Sequence, residues 1–336
     1  MRHHPTGGRA VPCRNERGAA LLTVLLIVAF VAVLAALALE RARLATRLAA
    51  NAVAIDQARQ YAMAAEVLAA TRISALLGRD AARVTLQGDW AGRPVPLPVP
   101  EGRATATLTD GGNCFNLNGL VTQGGDGRLV ARPASVEQFA RLMQLLGDPP
   151  LHAREVAAAA ADWIDSDAVA LPDGAEDPRY AGLATPYRTA GALMADASEL
   201  RAVAGMTPAL YDKLRPWLCA LPRAEVSRIN VNTLMPEQAV LFAMLLPDTL
   251  TIAQARAMIE QRPPQGFTST VAFWQGPGRQ GITAGPEAQG QTAVTTRWFA
   301  LKIDVALGDT GLSETALIDA TEAPARLVSR AWDDPS

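Results

Sequence analysis

The feature that most constrains this chain is an uninterrupted apolar run near its start. Residues Ala19 to Leu39 carry no charge and no proline. A helix of this length rises about 30 Å, which matches the hydrocarbon core of a bilayer. Residues 1–18 contain four arginines and one glutamate. By the positive-inside rule, the pattern predicts one transmembrane helix with a cytoplasmic N-terminus.

Two other N-terminal signals must be weighed against this interpretation. A secretory signal has an apolar region of about 7–15 residues followed by a small-residue cleavage site. Here the run is longer, and Glu40 and a helical pattern follow it. A simple signal anchor would look similar. The junction between Gly18 and Ala19, directly before the run, argues against both of these interpretations.

The helix is predicted to continue beyond the apolar run. From Glu40 to Leu77 there is no glycine or proline, and apolar residues recur at near-helical spacing. Gly78 is a plausible terminator. One helix of about 58 residues would be roughly 87 Å long. Two helices broken near Asn51 are the alternative.

The rest of the chain alternates between strand-like and helical patterns. Residues 88–102 hold four prolines and predict an extended connector, and 103–110 alternate as a strand does. Strands are also predicted at 296–307 and 313–320, followed by the segment 324–333. Between them, helices are predicted at 135–147, 152–164, 196–204, 207–219, 235–245 and 251–262. Strand-like sequence therefore brackets a helical insertion of about 175 residues, which loop-closure entropy tolerates well.

Composition and cysteine count narrow the function classes. Net charge is −2, so no global basic field suggests nucleic acid as a partner. Cys13 lies in the basic leader, while Cys114 and Cys219 are an even pair that suggests a disulfide in an exported domain, with two free thiols as the alternative. A zinc site lacks ligands, because His152 is the one histidine beyond residue 18 and no C-x-x-C occurs.

Acidic residues crowd one segment that also contains proline and glycine. They are Asp162, Asp165, Asp167, Asp173, Glu176 and Asp177, followed by Asp196 and Glu199. Carboxylates on a turn, together with backbone oxygens, suit a hard cation such as calcium. The spacing is not that of an EF-hand, and a solvated acidic loop is the alternative interpretation.

Two helix-hairpin-helix patterns lie in the insertion. Residues 198–218 have a Gly-Met-Thr-Pro hinge, and residues 229–267 repeat the arrangement with a Leu-Pro-Asp-Thr-Leu hinge. DNA-binding hairpins need a glycine-rich hinge and basic flanks. The second hinge lacks glycine, and the first has few basic neighbours, so the patterns favour a structural hairpin and no nucleic acid. Without a G-x-S-x-G or P-loop motif, we expect no enzyme activity.

The Gly18–Ala19 junction before an apolar run resembles the type IV prepilin family. The resemblance implies that a prepilin peptidase cuts after Gly18 and that the new N-terminus, Ala19, is methylated. Most members carry Glu at the fifth mature position, where this chain has Thr23. The minor pseudopilin K family of type II secretion systems is known for lacking that glutamate. The chain is identified as a member through Gly18, Thr23 and the segments 108–120, 162–167, 174–180, 198–222 and 229–234.

This resemblance implies a specific architecture. The fold class is α+β, a type IV pilin-like fold with a long N-terminal helix packed on a small antiparallel sheet. A large inserted α-helical domain contains helix-hairpin-helix-like units. The expected divisions are a leader at 1–18, a transmembrane helix at 19–39, a head formed by 40–113 and 291–336, and an insertion at 114–290.

The resemblance also implies ligands, partners and a role. The insertion is expected to bind calcium through Asp165, Asp167, Glu176 and Asp177, with Asp173, Asp196 and Glu199 as further candidates, and Cys114 and Cys219 are expected to pair. The expected partners are minor pseudopilins I and J, the major pseudopilin, the prepilin peptidase and the inner membrane, with the C-terminal domain in the periplasm. Thr23 and the bulky insertion predict a cap on the pseudopilus tip that supports protein export. The alternative is a membrane-anchored binding module for secreted substrate.

Overall fold

The structure is a computed structural model that describes residues 16–100, 102–246, 249–276, 279 and 281–333. Most of the predicted leader, including Cys13, lies outside these residues. The chain divides into two compact units, one up to Gln60 and the other from Tyr61 onward. The expected division into a head and an insertion, with the boundaries given above, remains a prediction.

The first element is one long helix, α1, which runs from Glu16 to Arg79. It has no break near Asn51, so the one-helix prediction is confirmed, and it ends one residue after Gly78. Its first part is long and apolar enough to cross a membrane. The large side chains of that part are more than half exposed at most positions, as expected of a surface that faces lipid.

The second unit is built around a five-stranded antiparallel sheet. The eleven strands of the described chain are β1 (Val95–Leu97), β2 (Gly102–Asp110), β3 (Phe115–Asn116), β4 (Val121–Gln123), β5 (Leu129–Ala131), β6 (Leu218–Cys219), β7 (Ile229–Asn230), β8 (Thr292–Ala293), β9 (Trp298–Leu307), β10 (Thr310–Asp319) and β11 (Arg326–Asp333). The sheet has the order β1-β2-β9-β10-β11, and the other strands form three two-stranded pairs. All four pairings in the large sheet are antiparallel.

The topology of this sheet places the central segment at one end. Strands β2 and β9 are hydrogen-bonded neighbours, with Asp110 opposite Phe299. Residues 111–297 therefore leave the sheet at the end of β2 and return to the same end at the start of β9. The extended connector predicted at 88–102 contains β1, an edge strand that pairs with β2.

The central segment is mainly helical, as predicted. Its described α-helices are α2 (Pro133–Leu145), α3 (Pro150–Ile164), α4 (Asp177–Ala181), α5 (Pro208–Leu214), α6 (Ala239–Ala243), α7 (Ile252–Glu260), α8 (Thr270–Trp274) and α9 (Pro286–Gln291). Short 3-10 helices span Leu117–Leu120, Ala197–Ala202, Arg215–Trp217 and Pro236–Gln238. Leucines, alanines and aromatic residues from α2, α3, α6 and α7 form its buried core.

One predicted helix is wrong in its extent. The pattern at 207–219 predicts a continuous helix, but α5 ends at Leu214 and a 3-10 turn follows. Pro216 explains the break, because a proline inside a helix removes a hydrogen bond and clashes with the preceding turn. The chain then enters β6, which pairs in parallel with β3.

Candidate functional site

The acidic residues of the central segment meet just after α3. This helix ends at Ile164, and Asp165 follows as its C-terminal cap residue. Asp165, Asp167 and Glu176 each present a carboxylate oxygen within 4.8 Å of the other two. Asp165 and Glu176 are buried, whereas Asp167 is exposed. These three of the seven predicted ligands therefore form one cluster that opens to solvent at Asp167.

The loop that returns Glu176 to Asp165 is held by Asp162, a residue to which the sequence pattern gave no separate role. Asp162 is fully buried on α3 and accepts hydrogen bonds from the backbone N–H groups of Leu171 and Ala175. A Cβ atom at Gly174 would collide with the Asp162 carboxylate, so the close approach requires glycine. Asp162 thus shapes the site through the backbone.

The electrostatics of the cluster are unfavourable for three bare carboxylates. Burial, with the negative charges of Asp167, Asp162 and Glu176 added, raises the pKa of Asp165 to about 7. Burial and the charge of Asp162 also raise the pKa of Glu176. A bound cation would remove this mutual repulsion and favour the charged forms.

The cluster also fits a hard cation by its unused acceptors. Asp165 Oδ1 and Glu176 Oε1 are buried and accept no hydrogen bond from the residues that the structure describes. Buried polar atoms are normally paired, so these two carboxylate oxygens are available to coordinate a cation. Calcium takes six to eight oxygen ligands, including water and carbonyl groups. The donor set is entirely oxygen, which suits calcium better than zinc.

The other four predicted ligands lie outside this three-residue cluster. Asp177 accepts hydrogen bonds from both the N–H and the hydroxyl of Thr189. Asp196 and Glu199 form a capping box at the start of the 3-10 helix Ala197–Ala202. Asp173 has a left-handed backbone, with φ of 65°. Their role as ligands remains a prediction.

Two Asn-x-Asn motifs, at 116–118 and 230–232, organise the central segment in the same way. The side chain of Asn118 pairs with both the N–H and the carbonyl of Met194. Asn232 pairs with both backbone groups of Phe267. All four asparagines are buried. The sequence resemblance singled out these motifs, but their spacing does not indicate which backbone each side chain binds.

The cysteine pair lies beside the first of these motifs. Cys114 and Cys219 form a disulfide with 5.8 Å between their Cα atoms. Asn116 lies opposite Cys219 in the pairing of β3 with β6. The disulfide implied by the resemblance is therefore present, and it closes a loop between residues 105 positions apart.

The first helix-hairpin pattern is anchored by a histidine. Gly205 in the hinge has a φ of 82°, which favours glycine. His152 on α3 places Nε2 at 3.0 Å from the Gly205 carbonyl and Nδ1 at 2.9 Å from the Asp148 carboxylate. Hydrogen bonding to Asp148 raises the pKa of His152. Since both ring nitrogens face acceptors, the imidazolium form satisfies both contacts.

The residues predicted to guide processing and assembly lie on α1. Gly18, Ala19 and Thr23 are all exposed in this helix. The Thr23 hydroxyl donates a hydrogen bond to the Ala20 carbonyl at 2.9 Å. A threonine at this position can therefore satisfy its polar group within its own helix, which a glutamate carboxylate could not do.

The long helix, the antiparallel sheet and the helical segment carried between two neighbouring strands define a pilin-like protein with an insertion. Residues 113–223 and 229–296 match family models described as type II secretion system (T2SS), protein K. The type II secretion system protein K of Klebsiella pneumoniae is 39% identical over 308 residues, covering 90% of this chain and 92% of the relative. The protein K of Pectobacterium carotovorum subsp. carotovorum is 36% identical, covering 95% and 97%.

A solved structure agrees with this assignment. The chain matches one chain of the crystal structure of the GspK-GspI-GspJ complex from the enterotoxigenic Escherichia coli type 2 secretion system. The TM-score is 0.72 at 31% identity, with 83% of this chain and 97% of that chain covered. The chain belongs to the type II secretion system protein K family.

Proposed function

We propose that this protein is the minor pseudopilin that caps the pseudopilus tip, in complex with minor pseudopilins I and J. The observation that carries the proposal is the match to a chain of the GspK-GspI-GspJ complex along 97% of that chain's length. In this role the protein supports export across the outer membrane, and the major pseudopilin lies below it in the filament.

The position of the insertion supports a cap. Residues 111–297 leave and re-enter the sheet at one end, between β2 and β9. A segment of this size at one end of the sheet would obstruct a further subunit there. Near the N-terminus, Thr23 stands where filament subunits are expected to have a glutamate. An unpaired charge is costly within lipid, so a subunit without that carboxylate has no need of a neighbour to pair it.

Membrane insertion and processing complete the proposed pathway. The apolar part of α1 would cross the inner membrane once, with residues 1–18 in the cytoplasm and the sheet and insertion in the periplasm. The prepilin peptidase would cut between Gly18 and Ala19 and methylate Ala19. Mass spectrometry of the chain produced with and without the peptidase tests this step: loss of residues 1–18 plus one methyl group is expected, and an uncut chain contradicts it.

The tip position can be tested by labelling. An epitope placed in the exposed turn at 125–127 should appear at one end of filaments assembled with excess major pseudopilin. A matched epitope on the major pseudopilin should label the whole length. Labelling of the K-type subunit along the filament would contradict the cap, and its absence from filaments would favour a separate binding module.

We also propose that Asp165, Asp167 and Glu176 hold calcium in a structural role. Bound calcium would offset the repulsion between the carboxylates and fix the loop between α3 and α4. Calcium should raise the melting temperature of the full chain in detergent, and Asp165→Asn should abolish that rise, whereas Asp126→Asn in an exposed turn should keep it. Equal stabilisation of both variants would exclude this site.

A further inference from the structure

We propose that Arg41, Arg43 and Arg47 form a basic collar that binds the phosphate groups of anionic phospholipids. The three arginines follow the end of the apolar run at Leu39 within eight residues. All three lie in α1 and are exposed. The collar would therefore meet the headgroup layer on the side of the membrane where the helix emerges.

The collar carries more positive charge than the acidic residues of its own segment can balance. Glu40 is the one acidic residue between Ala19 and Asp56. Within the described residues, no carboxylate lies within 4.0 Å of the Arg41, Arg43 or Arg47 guanidinium; the described ion pair in this part of the helix joins Arg59 to Asp56. Water hydrates three exposed guanidinium groups without partners, and beside a membrane segment the phosphates of anionic lipids can take the place of that water.

The direction of the helix brings the side chains toward the membrane. Side chains in an α-helix lean toward its N-terminus, and here the N-terminal direction leads back to the apolar run. By helical rise, Arg41, Arg43 and Arg47 lie about 3, 6 and 12 Å beyond Leu39. The headgroup layer on one side of a bilayer is roughly 5–7 Å thick. Each flexible side chain can therefore place its guanidinium at phosphate depth.

The arrangement around the helix axis suits more than one lipid. Arg43 and Arg47 are four positions apart and share a face, whereas Arg41 lies about 160° away from Arg43. A guanidinium presents a planar fork of donors that matches phosphate oxygens. Two faces of the helix can thus each engage a headgroup.

This inference rests on the membrane anchoring in the proposed function and adds a lipid preference to it. Cleavage after Gly18 would remove the four arginines of the leader. The collar would then hold the basic side chains nearest to the apolar run, and lipid phosphates would set the depth of the helix. Incorporation into a filament would require these contacts to be broken.

The test uses the mature chain, produced with the prepilin peptidase so that the four leader arginines are absent, reconstituted in vesicles of equal parts phosphatidylglycerol and phosphatidylcholine. After mild detergent extraction, native mass spectrometry counts the lipids that remain bound. The wild-type chain should retain phosphatidylglycerol at least ten-fold over phosphatidylcholine, because each arginine contributes roughly a five-fold preference. The triple variant R41Q/R43Q/R47Q should retain the two lipids about equally.

A matched control removes the same charge elsewhere. Arg72, Arg79 and Arg128 are exposed and form no described ion pair, so R72Q/R79Q/R128Q should keep the wild-type preference. R41K/R43K/R47K should also keep a preference for the anionic lipid. Unchanged phosphatidylglycerol retention by R41Q/R43Q/R47Q, or equal loss in the control, would overturn the collar. A chain that does not enter vesicles of either lipid would contradict the anchoring itself.

Discussion

A buried carboxyl group on the strand next to the C-terminal strand gives a prediction about how stability depends on pH. Glu314 on β10 is fully buried, and neither of its carboxylate oxygens accepts a hydrogen bond among the described residues. Arg330 on β11 is committed to Glu66 on α1 through contacts of 2.5 and 2.6 Å, and its Nε lies 3.7 Å from Glu314. One arginine thus serves two carboxylates.

The environment of Glu314 favours its neutral form. Burial, with hydrogen bonding to Glu66 and the negative charge of that carboxylate added, raises the pKa of Glu314 from 4.5 to about 8. Burial by itself would raise the pKa of Glu66 as well. The hydrogen bonds of Glu66 to Arg330 and Glu314 outweigh burial, so the pKa of Glu66 is lowered overall. A protonated Glu314 can donate to the ionised Glu66, which accounts for the opposite directions.

The sign and size of the effect on stability follow from linkage. The folded state holds the Glu314 proton more tightly than the unfolded state does. The contribution of Glu314 to the free energy of unfolding is therefore fully present below pH 4.5 and is lost as the pH rises to about 8. Each pH unit in that window is worth about 1.4 kcal/mol, so the upper limit is about 5 kcal/mol. Relaxation of the pair and entry of water reduce this, and we expect about 2–4 kcal/mol.

The perturbation is Glu314→Gln, which keeps the shape and a donor but cannot ionise. We expect the variant to unfold within about 1 kcal/mol of the wild type at pH 5 and to be about 2–4 kcal/mol more stable at pH 9. Denaturant unfolding of the full chain in nonionic detergent, followed by tryptophan fluorescence, measures this; Trp332 lies opposite Glu314 in the sheet. The exposed Glu322→Gln is the control. An unchanged slope of stability with pH in Glu314→Gln would refute the reasoning.

Three further predictions concern the central segment. Asp110→Ala should destabilise the chain by about 2–4 kcal/mol and make residues 111–297 susceptible to limited proteolysis. The reason is that the Gly112 N–H and the hydroxyls of Thr233 and Thr296 all donate to the Asp110 carboxylate, which the variant lacks. A protease-resistant variant would contradict a role for Asp110 in holding this segment to the end of β2. His152 should titrate by NMR with a pKa raised above its ordinary value of 6.5, so its contribution to stability is present below pH 6.5 and is lost as the pH rises through the raised pKa. A pKa at or below 6.5 would contradict the two contacts. Replacing Cys114 and Cys219 by serine should lower the free energy of unfolding by about 4–5 kcal/mol in the chain-entropy account, as measured by denaturant titration against the oxidised wild type.

The sequence predicts the main elements where local rules decide. Absence of glycine and proline from Glu40 to Leu77 favours one continuous helix over two, and alternation predicts β2, β9 and β10. Pro216 lies inside the helix predicted at 207–219, and the cost of a proline within a helix is the local signal that limits α5. Long-range partners are different, because no local pattern specifies that Asn118 binds Met194 or that Glu314 faces Glu66 and Arg330.

The candidate site shows the same limit. Acidic composition predicts where a cation site could be, and all three clustered residues are among the predicted ligands. Composition cannot choose among seven carboxylates, because the choice depends on the path of the loop between Asp165 and Glu176. That path is fixed by Asp162 and Gly174, whose roles emerge only from the folded backbone.

The most direct test of the central claim is the mass of the complex formed with minor pseudopilins I and J. The mature chain, produced with the prepilin peptidase and purified in detergent with both partners, should give one particle by size exclusion with light scattering. Its mass should equal one copy of each of the three subunits. A K-type chain that elutes alone, while I and J still associate with each other, would contradict the assignment of this protein to the pseudopilus tip.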